Sequence, residues 1–216
     1  MPRFLLMSAL VALSSIAVAQ QGKVIPAKGA SLGDKSAVSM ERYPGGSVVT
    51  DMGYSYKVNA ASSLKREWFV VRDESSPATV EGPAGIDVTY KQGQQYSLGQ
   101  FQYHAAYTIR AKEPISAFEL RIHVFDVFGK LIKTLSATEL ADLPDTRGFD
   151  GTWRIFSENE ASEAYASVTY IAQVRTASGR VYEIDRAAVF EQVRKVGRKI
   201  TEADLEPKKE APAPAK

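Results

Sequence analysis

Apolar and polar residues alternate with a period of two through the middle of this chain. That is the spacing of strands with one buried and one solvent face, because successive strand side chains point to opposite sides. Ile86, Val88 and Tyr90 share one parity and Asp87, Thr89 and Lys91 the other, with Gln92-Gly93 following as a turn. Phe101, Tyr103, Ala105, Tyr107 and Ile109 alternate with Gln102, His104, Ala106, Thr108 and Arg110. After Lys112-Glu113-Pro114, Phe118, Leu120, Ile122 and Val124 alternate with Glu119, Arg121, His123 and Phe125. Further strands are expected over 68–72, 131–135, 152–156, 164–175 and 180–184, with Ser178-Gly179 as the turn of a final hairpin. Ser136-Ala137-Thr138-Glu139 has capping-box spacing and predicts a short helical turn over 138–143, ending before Pro144. Strand after strand with half-polar faces and no long helix between them predicts a mainly β, antiparallel sandwich over residues 47–185 rather than a parallel α/β sheet.

The pattern changes at both ends. From Gln20 to Gly46 the chain is rich in Gly, Ser, Ala and Lys with little hydrophobic period, which predicts a flexible approach segment closed by a Pro44-Gly45-Gly46 turn. Beyond Asp185 the spacing becomes helical: Val189, Val193, Val196 and Ile200 form a stripe, and Arg186, Arg194, Lys195, Arg198 and Lys199 lie off it. A basic amphipathic helical segment is expected over 186–206, interrupted by Gly197. From Pro207 onward the Pro-, Ala- and Lys-rich composition predicts a disordered tail.

The first 19 residues read as a cleavable secretory signal. Arg3 precedes an apolar run from Phe4 to Val18 broken only by Ser8, Ser14 and Ser15, and Ala17-Val18-Ala19 offers small residues for cleavage before Gln20. The run is short of the roughly 20 apolar residues a membrane span needs, so a periplasmic or extracellular product without a transmembrane segment is expected. With no cysteine, the chain can form no disulfide framework, thiolate metal site or lipid-modified N-terminal cysteine. No Asn-x-Ser/Thr sequon is present either, which suits a bacterial envelope. Lys and Arg total 27 against 25 Asp and Glu, a balance that gives no overall field for gathering nucleic acid.

Ile122-His123-Val124-Phe125-Asp126, then Val127-Phe128-Gly129-Lys130 and Leu131-Ile132-Lys133-Thr134-Leu135, place a long strand, an aromatic-Asp turn and a second strand in succession. This stretch resembles the heart of bacterial Ig-like sandwich domains of the FxLYD type, with Ile122, Val124 and Phe125 standing for Phe, Leu and Tyr. The resemblance covers about a tenth of the chain by motif. It implies a fibronectin type III-like or Ig-like sandwich, mostly a binding or spacer unit on exported proteins. On the residues alone, Asp126 can accept bonds from the backbone of the following turn, and Gly129 can supply a positive φ there.

Candidate chemistry is sparse. His104 and His123 would face each other if their strands formed a direct hairpin, offering two ligands to zinc or copper; strands crossing to opposite sheets would keep them apart. Asp145, Asp150, Glu158 and Glu160 flank a strand bearing Trp153, a grouping compatible with a carbohydrate site. No Gly-x-Ser-x-Gly, His-Glu-x-x-His or P-loop motif occurs. Tyr90, Tyr103, Tyr107 and Tyr170 share parity with aliphatic residues and are expected in the core. Phe125 and Tyr165, on polar parities, are candidate surface aromatics. Arg194, Lys195, Arg198 and Lys199 are candidate contacts to an anionic partner, although a helix docked on the sandwich with solvated charges is favoured. The expected function is therefore an exported, non-catalytic module without a cofactor, binding an unknown protein or a cell-envelope component. A carbohydrate-active or metal-dependent exported enzyme is the alternative.

Overall fold

The computed structural model describes residues 37–45, 48–50, 66–91, 93 and 99–207. The leader over 1–19, the tail beyond 207 and most of the 20–46 segment lie outside them. In chain order the strands are β1 (Val38–Pro44), β2 (Val48–Thr50), β3 (Glu67–Asp73), β4 (Ala78–Glu81), β5 (Asp87–Lys91) and β6 (Gln100–Ala111). After these come β7 (Ile115–Phe125), β8 (Leu131–Leu143), β9 (Thr146–Arg154), β10 (Ala166–Thr176) and β11 (Val181–Glu183). A short helix α1 (Glu158–Glu163) precedes β10, and α2 (Arg186–Lys195) and a 3-10 turn (Glu202–Leu205) follow β11.

The strands form two sheets. The first runs β1-β3-β10-β7-β8 with β11 also pairing β10, and the second runs β2-β5-β6-β4 with β9 pairing β6. Pairing is antiparallel except for β3 with β10 and β2 with β5. A mainly β, mostly antiparallel architecture is thus as the alternation predicted. β6 and β7, consecutive in the chain, belong to different sheets. One core lies between the sheets: Leu120, Ile122 and Val124 of β7 meet Tyr103, Tyr107 and Ile109 of β6, all buried. Each such aliphatic or aromatic side chain contributes roughly 1.5–3 kcal/mol by leaving water.

A second core lies on the opposite face of the first sheet. Phe69 and Val71 of β3, Phe125 of β7 and Val168 and Tyr170 of β10 are covered by Val189 and Val193 of α2 and by Leu205 of the 3-10 turn. The first sheet is therefore a middle layer buried on both sides. Asp185 starts α2 by accepting from the backbone N–H groups of Ala187 and Ala188 at 2.9 and 3.2 Å. Arg194 and Lys195 sit in its last turn, where the helix dipole favours cations. The helix stops before Gly197, whose φ of +76° breaks the repeat, so Ile200 reaches the core from beyond the helix.

Several expectations are corrected. Phe125 is 0% exposed, because the polar parity of β7 faces the second core rather than water. Arg198 is also buried: it pairs with Glu67 at 2.7 Å, and its guanidinium lies 5.5 Å from the Phe69 ring centre. Residues 138–143 continue β8, as the register Thr138 to Glu119, Glu139 to Phe118 and Leu143 to Ile115 shows. Long-range pairing with β7 overrides the local capping signal there. Val38–Pro44, read as part of the approach segment, is an edge strand paired along its length with β3. The strand expected over 152–156 begins earlier, at Thr146, and ends at Arg154.

Candidate functional site

The aromatic-Asp turn joins β7 to β8 as its residues dictate. The Asp126 carboxylate accepts from the backbone N–H groups of Phe128 and Lys130 at 2.9 and 2.8 Å, and Gly129 has φ +77°. A Cβ at Gly129 would stand 2.6 Å from the Gly197 carbonyl oxygen, so the turn also admits the close approach of the C-terminal segment. Lys199 N–H donates to the Gly129 carbonyl at 2.7 Å, which sets Lys130 and Lys199 side by side in a parallel bridge.

That bridge forms one wall of a slot of about 680 Å³ along the outer edge of β8. Leu131 to Thr134 make its floor. Lys199, Asp204 and Glu206 line one wall, and Phe156, Ser157, Asn159, Glu160 and Glu163 line the other. α1 is held in that second wall by Ser157, whose hydroxyl accepts from Glu160 N–H at 3.1 Å. Phe156 is 65% exposed. Lys133 Nζ lies 5.0 Å from its ring centre and the Arg154 guanidinium carbon 5.4 Å, so the ring is flanked by two cations.

Beneath the slot, buried polar groups tie the C-terminal segment to the sheet. His123 is 0% exposed. Its Nδ1 is 2.9 Å from Thr134 Oγ1 and its Nε2 is 3.1 Å from the Tyr170 hydroxyl. Thr134 donates to the Asp204 carbonyl at 2.7 Å, so its oxygen is left to accept from His123 Nδ1–H, and the imidazole is held as the neutral tautomer that accepts at Nε2. Burial, reinforced by the Arg121 charge and opposed by Asp204, pushes His123 down to about 4. Arg121, 5% exposed, pairs with Glu119 at 3.1 Å and with Glu206 at 2.7 Å, and Arg186 joins Glu206 at 2.9 Å. Burial raises the Tyr170 phenol, and burial together with the nearby Glu160 carboxylate raises that of Tyr103.

The two histidines do not meet. His104, on the outer face of the second sheet, lies 3.3 Å from Asp150, while His123 is enclosed under the C-terminal segment of the first. No group of three or more His, Asp or Glu side chains among the described residues is placed to share a metal ion. Asp145 lines a charged cleft with Glu41, Arg72 and Arg110, whereas Trp153 turns inward and donates to the Ser136 carbonyl at 2.9 Å, so these groups share no pocket with Asp150. Glu160 faces the slot instead, 3.9 Å from Lys133.

Of the surface candidates, Lys199 lines the slot, and Arg194 and Lys195 are exposed on α2. Tyr165 is half-buried with the Arg198 guanidinium 6.0 Å from its ring centre. Like Phe128 on the turn tip, Phe156 faces solvent. Its signal was present in the alternation: Trp153 and Ile155 share the buried parity, which puts Phe156 on the opposite parity with Arg154. No helix among the described residues is long and apolar enough to cross a membrane. No protein-family profile, curated protein or solved structure matches the chain.

Proposed function

We propose that this protein is an exported Ig-like β-sandwich module that acts by binding a protein or another component of the cell envelope rather than by catalysis, and that the slot along β8 is where it binds. Export rests on the leader over 1–19, and the Ig-like assignment on the aromatic-Asp turn between two long strands and on two mostly antiparallel sheets around one core. The observation that carries the binding site is Phe156, a large apolar ring held out to solvent between Lys133 and Arg154 at the mouth of a groove. An aromatic flanked by cations and set in a concave surface is the composition of a recognition hot spot.

A photo-crosslinking side chain placed at Ser157 in the slot, and at Thr79 on the second sheet as a control, tests this in cells of the native host. Adducts formed from position 157 and lost on Phe156→Ala are expected. Equal adduct formation from both positions, or none from either, rejects the slot as the site. Turnover of any substrate in a hydrolase panel, abolished by changing one polar side chain, would refute the non-catalytic reading.

A further inference from the structure

A sheet edge exposes backbone donors and acceptors that template another strand, so natural sheets cover, interrupt or charge it. Among the described residues, β1, β8, β4 and β9 are the edge strands of four residues or more, and the chain itself closes three of them. On β4, the Ser76 hydroxyl donates to the Ala78 carbonyl at 2.7 Å and accepts from the Ala78 N–H at 3.3 Å. Arg72 Nε donates to the Val80 carbonyl of the same edge at 2.7 Å. On β1, Gln192 donates to the Val38 carbonyl at 3.2 Å, and Pro44 has no N–H to offer. β8 shifts register near both ends, gives its Ser136 carbonyl to the Trp153 indole at 2.9 Å, and is bridged at Lys130 by Lys199.

β9 has none of these closures. It pairs with β6 along all nine of its residues without a register shift, and it contains no proline. Ile155 N–H donates to the Phe101 carbonyl and Ala111 N–H to the Asp145 carbonyl, each at 3.0 Å, so the odd-numbered residues turn their backbone toward β6. Thr146, Gly148, Asp150, Thr152 and Arg154 therefore turn theirs outward. All five are exposed, and no described residue bonds to those outward groups. The only protection left is charge, from Asp150 and Arg154 on one parity. Within the chain Asp150 has the His104 imidazole 3.3 Å away and Arg154 has the Phe156 ring, and no described Lys, Arg, Asp or Glu pairs with either.

Opposite charges four residues apart repel most strands but fit one partner, an antiparallel copy of the same strand. We infer that β9 pairs with β9 of a second copy of this chain, about a two-fold axis at Thr152, and so joins the second sheets of the two copies into one. In such an isologous interface every contact occurs twice, and outward residues must face outward residues. Of the registers that overlap five residues or more of β9, the one centred on Asp150 sets two carboxylates opposite each other. Only the one centred on Thr152 sets opposite charges face to face, Asp150 against the partner's Arg154 on both sides of the axis. It also puts Thr152 against its own copy and Gly151, which has no side chain, against the partner's Trp153. The three facing pairs form about six backbone hydrogen bonds. Gly148 falls opposite the partner's Phe156 and brings no side chain to the mouth of the slot, so the pairing neither needs nor fills that site.

Sedimentation velocity of the protein produced with its own leader, from micromolar to submillimolar concentration, tests the pairing. The wild type is expected to associate reversibly to a dimer. Asp150→Arg and Arg154→Asp each set like charges opposite one another at both ends of the interface, and each should raise the dimer dissociation constant at least about tenfold. An equimolar mixture of the two variants should recover the wild-type constant, because each new charge then meets its opposite. Thr152→Pro removes an outward N–H at the axis and leaves the β6 ladder intact, so it should give a monomer with the wild-type circular dichroism spectrum. If that variant does not fold, the charge variants decide alone. A wild type that stays monomeric throughout, or a dimer that both charge variants leave unchanged, overturns the inference. So does a mixture that fails to recover, or a folded Thr152→Pro that still dimerises.

Discussion

His123 makes the burial of the second core measurable as a dependence of stability on pH. The imidazole titrates near 6.5 when free and is pushed down to about 4 in the fold. Between those values the unfolded chain takes up a proton that the folded chain refuses, so the unfolded state binds more protons and stability rises with pH. The neutral imidazole's contribution is complete above about pH 6.5 and is lost progressively as pH falls toward 4. The linkage relation puts the loss at roughly 2–3 kcal/mol between pH 7.5 and 4.5. The groups facing the ring are Arg121 on its own strand, Thr134 on β8, Tyr170 on β10 and Asp204 on the 3-10 turn. Of these, Tyr170 stays neutral, raised by burial.

Acid also removes stability through carboxylates such as Asp73, which is buried and yet lowered by bonds from Ser75 and Tyr182. A comparison with His123→Gln isolates the imidazole, since glutamine can bond Thr134 and Tyr170 without titrating. Urea unfolding would be followed at pH 7.5 and 4.5 through the fluorescence of Trp68 and Trp153, both packed on the inter-sheet core. The stability difference between wild type and variant is expected to shrink by roughly 2–3 kcal/mol on acidification. A difference that does not change with pH means that the imidazole is not held neutral in the folded state, and refutes the tautomer and burial argument together.

Three substitution pairs probe the rest of the structure. Phe125→Ala should cost about 3–5 kcal/mol in urea unfolding, against less than about 0.5 kcal/mol for Phe128→Ala three residues away on the exposed turn tip; similar values would contradict the second core. Glu67→Ala leaves the buried Arg198 unpaired and should cost about 3 kcal/mol, whereas Arg198→Met in the same apolar surroundings should cost clearly less, an order that unfolding curves would reverse if the pair were merely a surface contact. Gly129→Ala meets both a φ of +77° and the Gly197 carbonyl, while Gly197→Ala meets only a φ of +76° with open space around it. The first should therefore lower the thermal midpoint more than the second, which carries only the roughly 1–2 kcal/mol of a left-handed residue.

The strands of the inter-sheet core were legible because each has one parity facing that core and a period of two reports this directly. Val88 with Tyr103, and Leu120 with Ile122, fall on the buried side as the alternation predicts. The same rule failed for Phe125 because it assumes that the other parity meets water. In β7 that parity carries Arg121, His123 and Phe125, and no local signal reveals that a helix more than sixty residues onward will cover it. Arg198 misled for the related reason that helical periodicity assigns every cation to a solvated face, whereas the chain leaves the helix at Gly197 and turns Arg198 inward to Glu67. Of the slot, Lys199 was read as a surface cation and Glu160 as a flanking carboxylate. Their meeting with Phe156 depends on β8 and β9 lying in different sheets, a relation fixed by topology rather than by spacing.

The buried polar cluster and the slot have one structural origin. The C-terminal segment is fastened to the first sheet by Arg198 to Glu67, Lys199 to Gly129, Thr134 to the Asp204 carbonyl, and Arg121 to Glu206. Two of these contacts use Thr134 and the turn that begins β8, so the segment bridges the start of that strand at Lys130 and then runs along one side of its edge. A segment lying a strand's width farther over would have hydrogen-bonded to Thr134 and removed the slot. Its fastening also fixes where Asp204 and Glu206 stand, so that both line the slot beside Lys199. The groups that stabilise the second core thus set the shape of the proposed binding surface. Substitutions at Arg121, which does not line the slot, should accordingly alter binding there through the position of the segment.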